Sequence, residues 1–383
     1  MTEHLPIAIV GGGLGGLTAA AVLHRRGIRA TVLEREPHRH TRTQGGMLDI
    51  HDDTGQLAIE AAGLRERFRT LVHAGGEAMR IMDRHGTVLY ADTDDGRLVR
   101  PEIDRGDLRG LLLDALPEGA VRWGSDVRAV GPVGERPGHH LITLADGTTY
   151  TTRLLIGADG AWSRVRPLLS DARPRYSGIS FVEADLHDAD VRHPAEAEAM
   201  GPGMLFALDG GTGILGHRES DGSLHCYLGH RADERWLDGI DFTDAASARA
   251  EVLKLLDGWA APLRGMIAGA DGPLVPRRIH ALPVGHRWDP VPGVTLLGDA
   301  AHLMSPFAGA GANLALYDAS RLADAITDHP GDADAALSAY ETELFGRSEE
   351  AAAESARSLE IIFAPDAPHG LVEMFARFHA GTP

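Results

Sequence analysis

The sequence predicts an α/β fold that is interrupted by a mainly β insert and followed by a long C-terminal helix bridging both parts. An apolar run at residues 7–10 leads into glycines, a stretch with helical spacing of apolar residues and a second apolar run at 30–33. This order of strand, turn, helix and strand is a βαβ unit. Short alternating segments with glycine-rich turns fill residues 176–261. A strand pattern then resumes at 294–297, so we expect the first domain to be discontinuous in sequence.

The 383 residues exceed the size at which one hydrophobic core usually stops growing, so two packed domains are expected. We assign residues 1–70, 99–175 and 262–325 to the first domain, 71–98 and 176–261 to the second, and 326–383 to a C-terminal helical segment that bridges both. Within that segment, good helix formers run from Ala333 to Ile362, and Pro365 ends the helix.

Composition excludes several classes of function. The formal net charge of -18 argues against a nucleic-acid or membrane partner. Neither a transmembrane segment nor a signal peptide is apparent, and the single Cys226 fits a reducing compartment, so we expect a cytoplasmic monomer. The histidine pairs at 38/40 and 139/140 lie in polar loops, and no metal site is predicted.

Gly11, Gly13 and Gly16 form the pattern GxGxxG between a strand and a helix, and Glu34 ends the next strand. Such glycines let the backbone turn tightly and approach a pyrophosphate, whose charge the helix N-terminus stabilises. Glu34 can accept hydrogen bonds from ribose hydroxyls. The pattern predicts a Rossmann-like dinucleotide site, and the alternative is a glycine turn with no ligand.

Two further motifs follow predicted strands. Residues 159–166 read DGAWSRVR after the apolar run 154–156, and residues 298–311 read GDAAHLMSPFAGAG after 294–297. An aspartate at a strand end can bind ribityl hydroxyls, and the helix after the second motif can stabilise negative charge on a flavin pyrimidine ring. Alone, either motif could be a turn capped by its aspartate. Together with the glycine motif they predict one bound FAD.

In this order and spacing the three motifs resemble the fingerprints of the class A flavin-dependent aromatic hydroxylases. Within that family the chain looks most similar to the tetracycline-inactivating FAD monooxygenases, on GGMLDIHDDTGQLAIEAAGL, PEIDRGDLR and GDAAHLMSPFAGAGAN. The resemblance implies a glutathione-reductase-type FAD-binding domain and places Arg42 at an NAD(P)H site. The residues expected to contact FAD are Gly11, Gly13, Leu14, Gly15, Gly16, Glu34, Arg35, Asp49, Arg109, Asp159, Asp299, Pro306, Gly309, Gly311 and Ala312.

The resemblance also implies a reaction. It is hydroxylation of an aromatic or polyketide compound, tetracycline-like above all, by molecular oxygen and NADPH or NADH through a flavin C4a-hydroperoxide, as in antibiotic resistance. No catalytic side chain is predicted, because the cofactor carries the chemistry. The residues expected at the substrate are Glu183, Met204, Phe206, His225, Phe307 and Ile362. The apolar members could equally be plain core, and His225 could be structural.

Two residues expected at the substrate depart from the tetracycline pattern. Glu183 stands where those enzymes carry glutamine, and Met204 stands where they carry arginine, so a charged donor is missing. Two other functions stay open: a non-catalytic FAD protein that sequesters a planar drug, and a flavin halogenase, whose tryptophan-rich motif and lysine are not apparent. Since there is no second GxGxxG, NAD(P)H should bind transiently near the flavin rather than in its own Rossmann domain.

Overall fold

The computed structural model describes residues 2–41, 46–73, 76–93, 96, 98–134 and 136–379. The chain divides into two compact units. The first unit comprises Met1–Val72, Arg105–Arg175 and Ala281–Ser355, and the second comprises His73–Asp104, Tyr176–His280 and Ala356–Pro383. The domain bounds expected from the sequence stay a prediction. No helix in the described part of the chain has the length and apolar character needed to cross a membrane.

The strands are, in chain order, Glu3–Val10 (β1), Thr31–Leu33 (β2), Met47–Asp49 (β3), Met79–Asp83 (β4), Val88–Asp92 (β5), Glu102–Asp104 (β6), Val121–Arg122 (β7), Val127–Val133 (β8), Arg136–Leu144 (β9), Thr149–Gly157 (β10), Arg175–Leu186 (β11), Met204–Asp209 (β12), Thr212–Arg218 (β13), Leu224–Arg231 (β14), Val275–Ala281 (β15) and Val294–Leu296 (β16).

The α-helices are Leu14–Arg25 (α1), Gly55–Ala61 (α2), Arg65–Arg69 (α3), Arg105–Asp114 (α4), Ala189–Arg192 (α5), Pro194–Met200 (α6), Ala245–Leu253 (α7), Ala261–Ala268 (α8), Asp299–His302 (α9), Ala310–Asp328 (α10), Ala333–Ile362 (α11) and His369–His379 (α12). The long helix α11 has the bounds that its helix formers predict.

The first unit is built on a sheet with strand order β7-β2-β1-β10-β9-β8, with β16 also paired to β10. Strands β7, β2, β1, β10 and β16 are parallel neighbours, whereas β8 and β9 form an antiparallel hairpin on β10. The central strands read as unbroken apolar runs because both faces of a parallel sheet are covered. Helix α1 follows β1 after a short turn and packs against α10. Because the strands are parallel, their carboxyl ends lie at the same edge of the sheet.

The second unit is built on a sheet with strand order β15-β11-β14-β13-β12-β4-β5. One face packs with α6, α7 and α8 into a core that includes Val182, Ala184, Leu205, Ala207, Ile214, Cys226 and Leu228. Because side chains alternate along a strand, the residues between these point to the opposite face. We call that opposite face the polar face, formed by Glu183, Asp185, Met204, Phe206, Leu215, His217, His225 and Tyr227.

Candidate functional site

The glycine turn after β1 fits only glycine at two of its positions. Gly11 has φ +107°, and a Cβ there would lie 2.3 Å from the Ala158 carbonyl oxygen. A Cβ at Gly16 would lie 2.0 Å from the Gly11 carbonyl oxygen. In contrast, a Cβ at Gly13 would meet no atom of the described residues within 4 Å. The turn is therefore fixed by close packing at Gly11 and Gly16. At Gly13 it is open, so a ligand can approach the protein backbone there.

Two other members of the motif serve packing in the structure. Leu14 is buried with 7% of its surface exposed. At Gly15 a Cβ would lie 2.6 Å from the Leu297 Cδ1 atom and 3.0 Å from the Ala315 carbonyl oxygen, so glycine permits α1 to approach α10. Both residues thus hold the N-terminus of α1 in place, and their expected contact with FAD stays a prediction.

Two buried side chains hold Gly12 from opposite sides. The Gly12 amide donates to Glu34 Oε2 at 2.6 Å, and the Glu36 amide donates to Glu34 Oε1 at 2.9 Å. Arg109 donates from Nε to the Gly12 carbonyl oxygen at 3.3 Å and from Nη2 to Glu36 Oε2 at 2.9 Å. Each carboxylate oxygen of Glu34 has a second lone pair, so the residue can still accept from a ribose. The neighbouring Arg35 is exposed.

Asp159 closes its own loop. Its carboxylate accepts from the Ser163 hydroxyl at 2.6 Å and from the Arg164 amide at 2.6 Å. Burial raises the pKa of Asp159, against the effect of these hydrogen bonds. The geometry is that of a capped turn, and contact between Asp159 and FAD stays a prediction.

Arg166, for which the sequence alone predicts no role, joins the second motif to the third. Its Nη2 donates to the Ala161 carbonyl oxygen at 2.6 Å, and its Nη1 donates to the Ala300 carbonyl oxygen at 3.0 Å. Only 3% of its surface is exposed, and this burial lowers the pKa of the guanidinium. The two loops are therefore held together by one buried cation.

The third motif forms a tight turn that presents Asp299. Gly298 has φ +58°, a conformation that favours glycine. The Ala300 carbonyl accepts from Arg166, and the Ala301 carbonyl accepts from the His286 ring at 2.6 Å. The Asp299 side chain is exposed by surface area, yet desolvation by surrounding protein raises its pKa. The Asp299 carboxylate is therefore accessible to a ligand at the carboxyl end of β16.

No side chain in the described part of the chain caps the N-terminus of α10. Pro306–Ala308 form a short 3-10 turn, Gly309 follows with φ +63°, and the 19-residue helix begins at Ala310. Among the residues that the structure describes, none would come within 4 Å of a Cβ at Gly311, and Ala312 is half-buried. The first amides of a helix have no intrahelical partner and carry the positive end of its dipole. This end of α10 can therefore bind an anionic or carbonyl-rich group.

Asn313, which the sequence reading did not single out, fixes Asp49 beside this helix end. Its Nδ2 donates to the Asp49 carbonyl oxygen at 2.8 Å, and its Oδ1 accepts from the His51 amide at 2.9 Å. A Cβ at Gly309 would lie 3.1 Å from Asp49 Oδ2, so the carboxylate lies next to the start of α10. The GAN triplet at the end of the third motif was the available signal.

The first unit thus brings the predicted cofactor residues to one edge of its sheet. Gly11 follows β1, Glu34 follows β2, Asp159 follows β10 and Asp299 follows β16. Ligands bind at the carboxyl ends of strands in open α/β sheets. The open space at Gly13, the uncapped helix end and the accepting carboxylates fit a dinucleotide with a ribityl chain. Arg42 lies outside the described residues.

The second unit brings four of the six predicted substrate residues onto its polar face. Opposite one another across the strands lie Met204, His217 and His225 in one row, and Phe206, Leu215, Tyr227 and Glu183 in the next. The other two are elsewhere. Phe307 is half-buried in the first unit, and Ile362 is 2% exposed in the second. All six assignments stay predictions.

Carboxylates flank His225 on the polar face. Its Nδ1 lies 2.5 Å from Asp185 Oδ1, and its ring meets the Tyr227 ring edge-on at 4.6 Å. Burial acts against the charged ring, but Asp185, with Glu219 and Glu183, raises the pKa of His225 overall. When the ring is charged, Nδ1–H donates to Asp185 and Nε2–H is left as a second donor. Nδ1 is held by Asp185.

Two other titratable groups lie near that histidine. Burial lowers the pKa of His217 to about 4, so its ring is neutral at physiological pH. Burial raises the pKa of Glu219 to about 7, helped by Asp104 and opposed by His225. Glu183 forms an ion pair with Arg277. A glutamine at this position, as in the tetracycline pattern, would offer a neutral donor instead. No group of three or more metal-ligating side chains is found among the described residues.

The sequence matches the profile of a family described as FAD binding domain over residues 4–251 and 287–355. Monooxygenase penA of Penicillium thymicola is 29% identical, over 85% of this chain and 85% of its own length. The 3-amino-4-hydroxybenzoate 2-monooxygenase PtnB3 of Streptomyces platensis is 30% identical, over 96% of this chain and 91% of its own.

Two solved structures have the same fold. Klebsiella pneumoniae HpxO complexed with FAD and uric acid has a TM-score of 0.80 at 23% identity, covering 98% of this chain and 93% of its own. The tetracycline destructase Tet(55) has a TM-score of 0.74 at 19% identity, covering 99% and 96%. At such identities the likeness concerns the fold alone, and it confirms the predicted α/β architecture.

Proposed function

Because the chain belongs to the FAD binding domain family and is a class A FAD-dependent monooxygenase, we propose that it hydroxylates an aromatic or polyketide compound with NAD(P)H as reductant. The observation that carries the proposal is the convergence of the three motifs on one sheet edge, with open space at Gly13 and Gly311. Bound FAD supplies the activation of molecular oxygen, which no side chain can supply.

The proposed FAD site gives each part of the cofactor a physical partner. The open turn at Gly13 and the first amides of α1 take the pyrophosphate. Glu34 accepts from the adenosine ribose, and Asp299 accepts from the ribityl chain. The uncapped N-terminus of α10 stabilises negative charge on the pyrimidine edge of the ring. The protein thereby orients the cofactor and stabilises charge, while taking no covalent part in the reaction.

We place the substrate on the polar face of the second unit. Asp185 raises the pKa of His225, and the charged ring offers an Nε2–H donor to a carbonyl or acidic hydroxyl. Phe206 and Met204 supply apolar contact for a ring system. The HpxO structure contains uric acid and PtnB3 is named for an aminohydroxybenzoate, so relatives with this fold differ in substrate.

A tetracycline-like compound is the specific substrate that we propose. The first test is a screen of tetracyclines, anthraquinones and simple phenols for stimulated NADH or NADPH oxidation, with mass spectrometry of the products. A gain of one oxygen on a tetracycline is the expected result. Stimulated oxidation and oxygen gain on the phenols alone would overturn the tetracycline assignment. Binding with no oxidation of NAD(P)H would favour a sequestering protein.

Met204→Arg tests the place of the substrate. Met204 lies in the row of His217 and His225, so an arginine there restores the donor that the tetracycline pattern contains. We expect tetracycline turnover to rise, whereas Val191→Arg, at a position with 84% exposure on α5, should leave it unchanged. Equal turnover in both variants would contradict a substrate site on the polar face.

A further inference from the structure

A buried carboxylate on α10 holds the turn that presents Asp299. Asp318 has no exposed surface. Its Oδ2 accepts from the Gly298 amide at 3.2 Å and from the His302 Nε2 at 2.6 Å, and its Oδ1 accepts from Arg347 Nη2 at 2.8 Å. The carboxylate therefore contacts both sides of the third motif: the amide immediately before Asp299 and the histidine three residues after it.

The surroundings keep this carboxylate charged. An ionised carboxylate in a protein interior is strongly destabilising unless it is paired and fully hydrogen-bonded. Burial alone would raise the pKa of Asp318, but His302 and Arg347 hold it below its ordinary value. In return, burial alone would lower the pKa of His302, but Asp318, with Asp299, raises it above its ordinary value. Arg347 also lies over the Tyr317 ring at 4.9 Å, which fixes its position on α11.

The remaining polar backbone groups of the turn have their own anchors. The Ala300 and Ala301 carbonyls accept from Arg166 and His286. Asp318 in turn accepts from the backbone amide of Gly298, the residue with φ +58°. We propose that Asp318 is a positioning residue for FAD: it fixes the direction in which the Asp299 carboxylate leaves the turn.

This inference rests on the proposed contact between Asp299 and the ribityl chain, and Asp299→Ala tests that contact separately. Asp318→Asn keeps the size of the side chain but places an amide against Arg347 and removes the charge that orders His302. We expect FAD to dissociate about tenfold more readily from the full-length variant, the size of effect that one misplaced buried hydrogen bond produces.

The experiment titrates flavin-free protein with FAD and follows quenching of flavin fluorescence, and it records the visible circular dichroism of the bound flavin. The dichroism reports the environment of the ring, which a general loss of stability leaves unchanged. Glu341→Gln is the matched control, because Glu341 is a buried carboxylate that accepts from Trp288 and Thr295. It should lower the melting temperature without altering FAD affinity or dichroism.

The outcomes separate the two proposals. If Asp299→Ala binds FAD as the wild type does, the proposed cofactor contact is wrong. If Asp299→Ala weakens FAD while Asp318→Asn leaves affinity and dichroism unchanged, only the positioning role is wrong. Should Asp318→Asn not fold, the double variant Asp318→Asn with Arg347→Met replaces it, because it leaves no buried cation without its carboxylate. A weaker affinity with altered dichroism supports the proposal, and wild-type values for both overturn it.

Discussion

Replacing Gly13 by alanine separates the fold of the glycine turn from its use. Gly13 has φ -78° and ψ -178°, which alanine adopts without strain, and a Cβ there meets no protein atom within 4 Å. Alanine caps a helix N-terminus less well than glycine, but it also lowers the entropy of the unfolded chain. These effects oppose each other, so we expect the flavin-free protein to unfold within about 1 kcal/mol of the wild type.

Cofactor binding should respond differently. A backbone amide lies about 2.9 Å from an oxygen that it binds, whereas a methyl carbon needs about 3.5 Å from its neighbour. A phosphate bound at this turn must therefore move away from the amides. We expect at least a tenfold rise in the dissociation constant of FAD, which is about 1.4 kcal/mol.

The assay combines denaturant unfolding of the flavin-free protein with fluorescence titration of FAD. Gly346→Ala is the matched control, because Gly346 lies exposed within α11 with no atom within 4 Å of an added Cβ. It should gain about 0.8 kcal/mol of stability and bind FAD unchanged. A Gly13→Ala protein that folds and binds FAD with the wild-type affinity refutes our placement of the pyrophosphate.

Three further outcomes are expected. Arg166→Met leaves the Ala161 and Ala300 carbonyls without their donor and should reduce the free energy of unfolding by about 2 kcal/mol, after relief of a buried charge; denaturant curves that coincide with the wild type would contradict this. Burial lowers the pKa of His217 from 6.5 to about 4. As pH falls, His217 is protonated in the unfolded chain before it is protonated in the folded one. The free energy of unfolding therefore falls by about 3 kcal/mol between these two pH values. His217→Phe should remove that part of the pH dependence, and unfolding curves at about pH 7 and about pH 3.5, which lie on either side of that interval, measure it. Asp185→Asn should lower the pKa of His225, and NMR of the ring protons measures that pKa. Folding raises the pKa of His225. Its contribution to stability is therefore present below the pKa of the unfolded state and is lost as pH rises through the pKa of the folded state. An unchanged His225 titration would remove Asp185 from its control.

The first unit could be predicted because its signals are local. Apolar runs, a glycine turn and helical spacing follow one another within residues 7–33, and each step has one physical meaning. The helical stretch between the two apolar runs is α1, which begins at Leu14 directly after Gly13. The bounds of α11 followed from an uninterrupted series of helix formers.

What the sequence did not reveal are pairs made by distant residues. Asp318 lies 16 positions from His302 and Arg347 lies 29 positions from Asp318, and no local pattern joins such partners. The alternation in β14 was visible, but the contact of His225 with Asp185 depends on the register of β14 against β11. Helices α6 and α8 of the second unit were missed for a similar reason: they are short, and packing on the sheet stabilises them more than propensity does.

The division of the second sheet into a core face and a polar face constrains how this protein can diverge. In strands β11 to β14 the core residues alternate with the residues of the polar face. An insertion or deletion of one residue would drive charged groups into the apolar interior and expose the core. Single replacements on the polar face can therefore change which ligand binds, whereas a change in strand length by one residue would destabilise the fold.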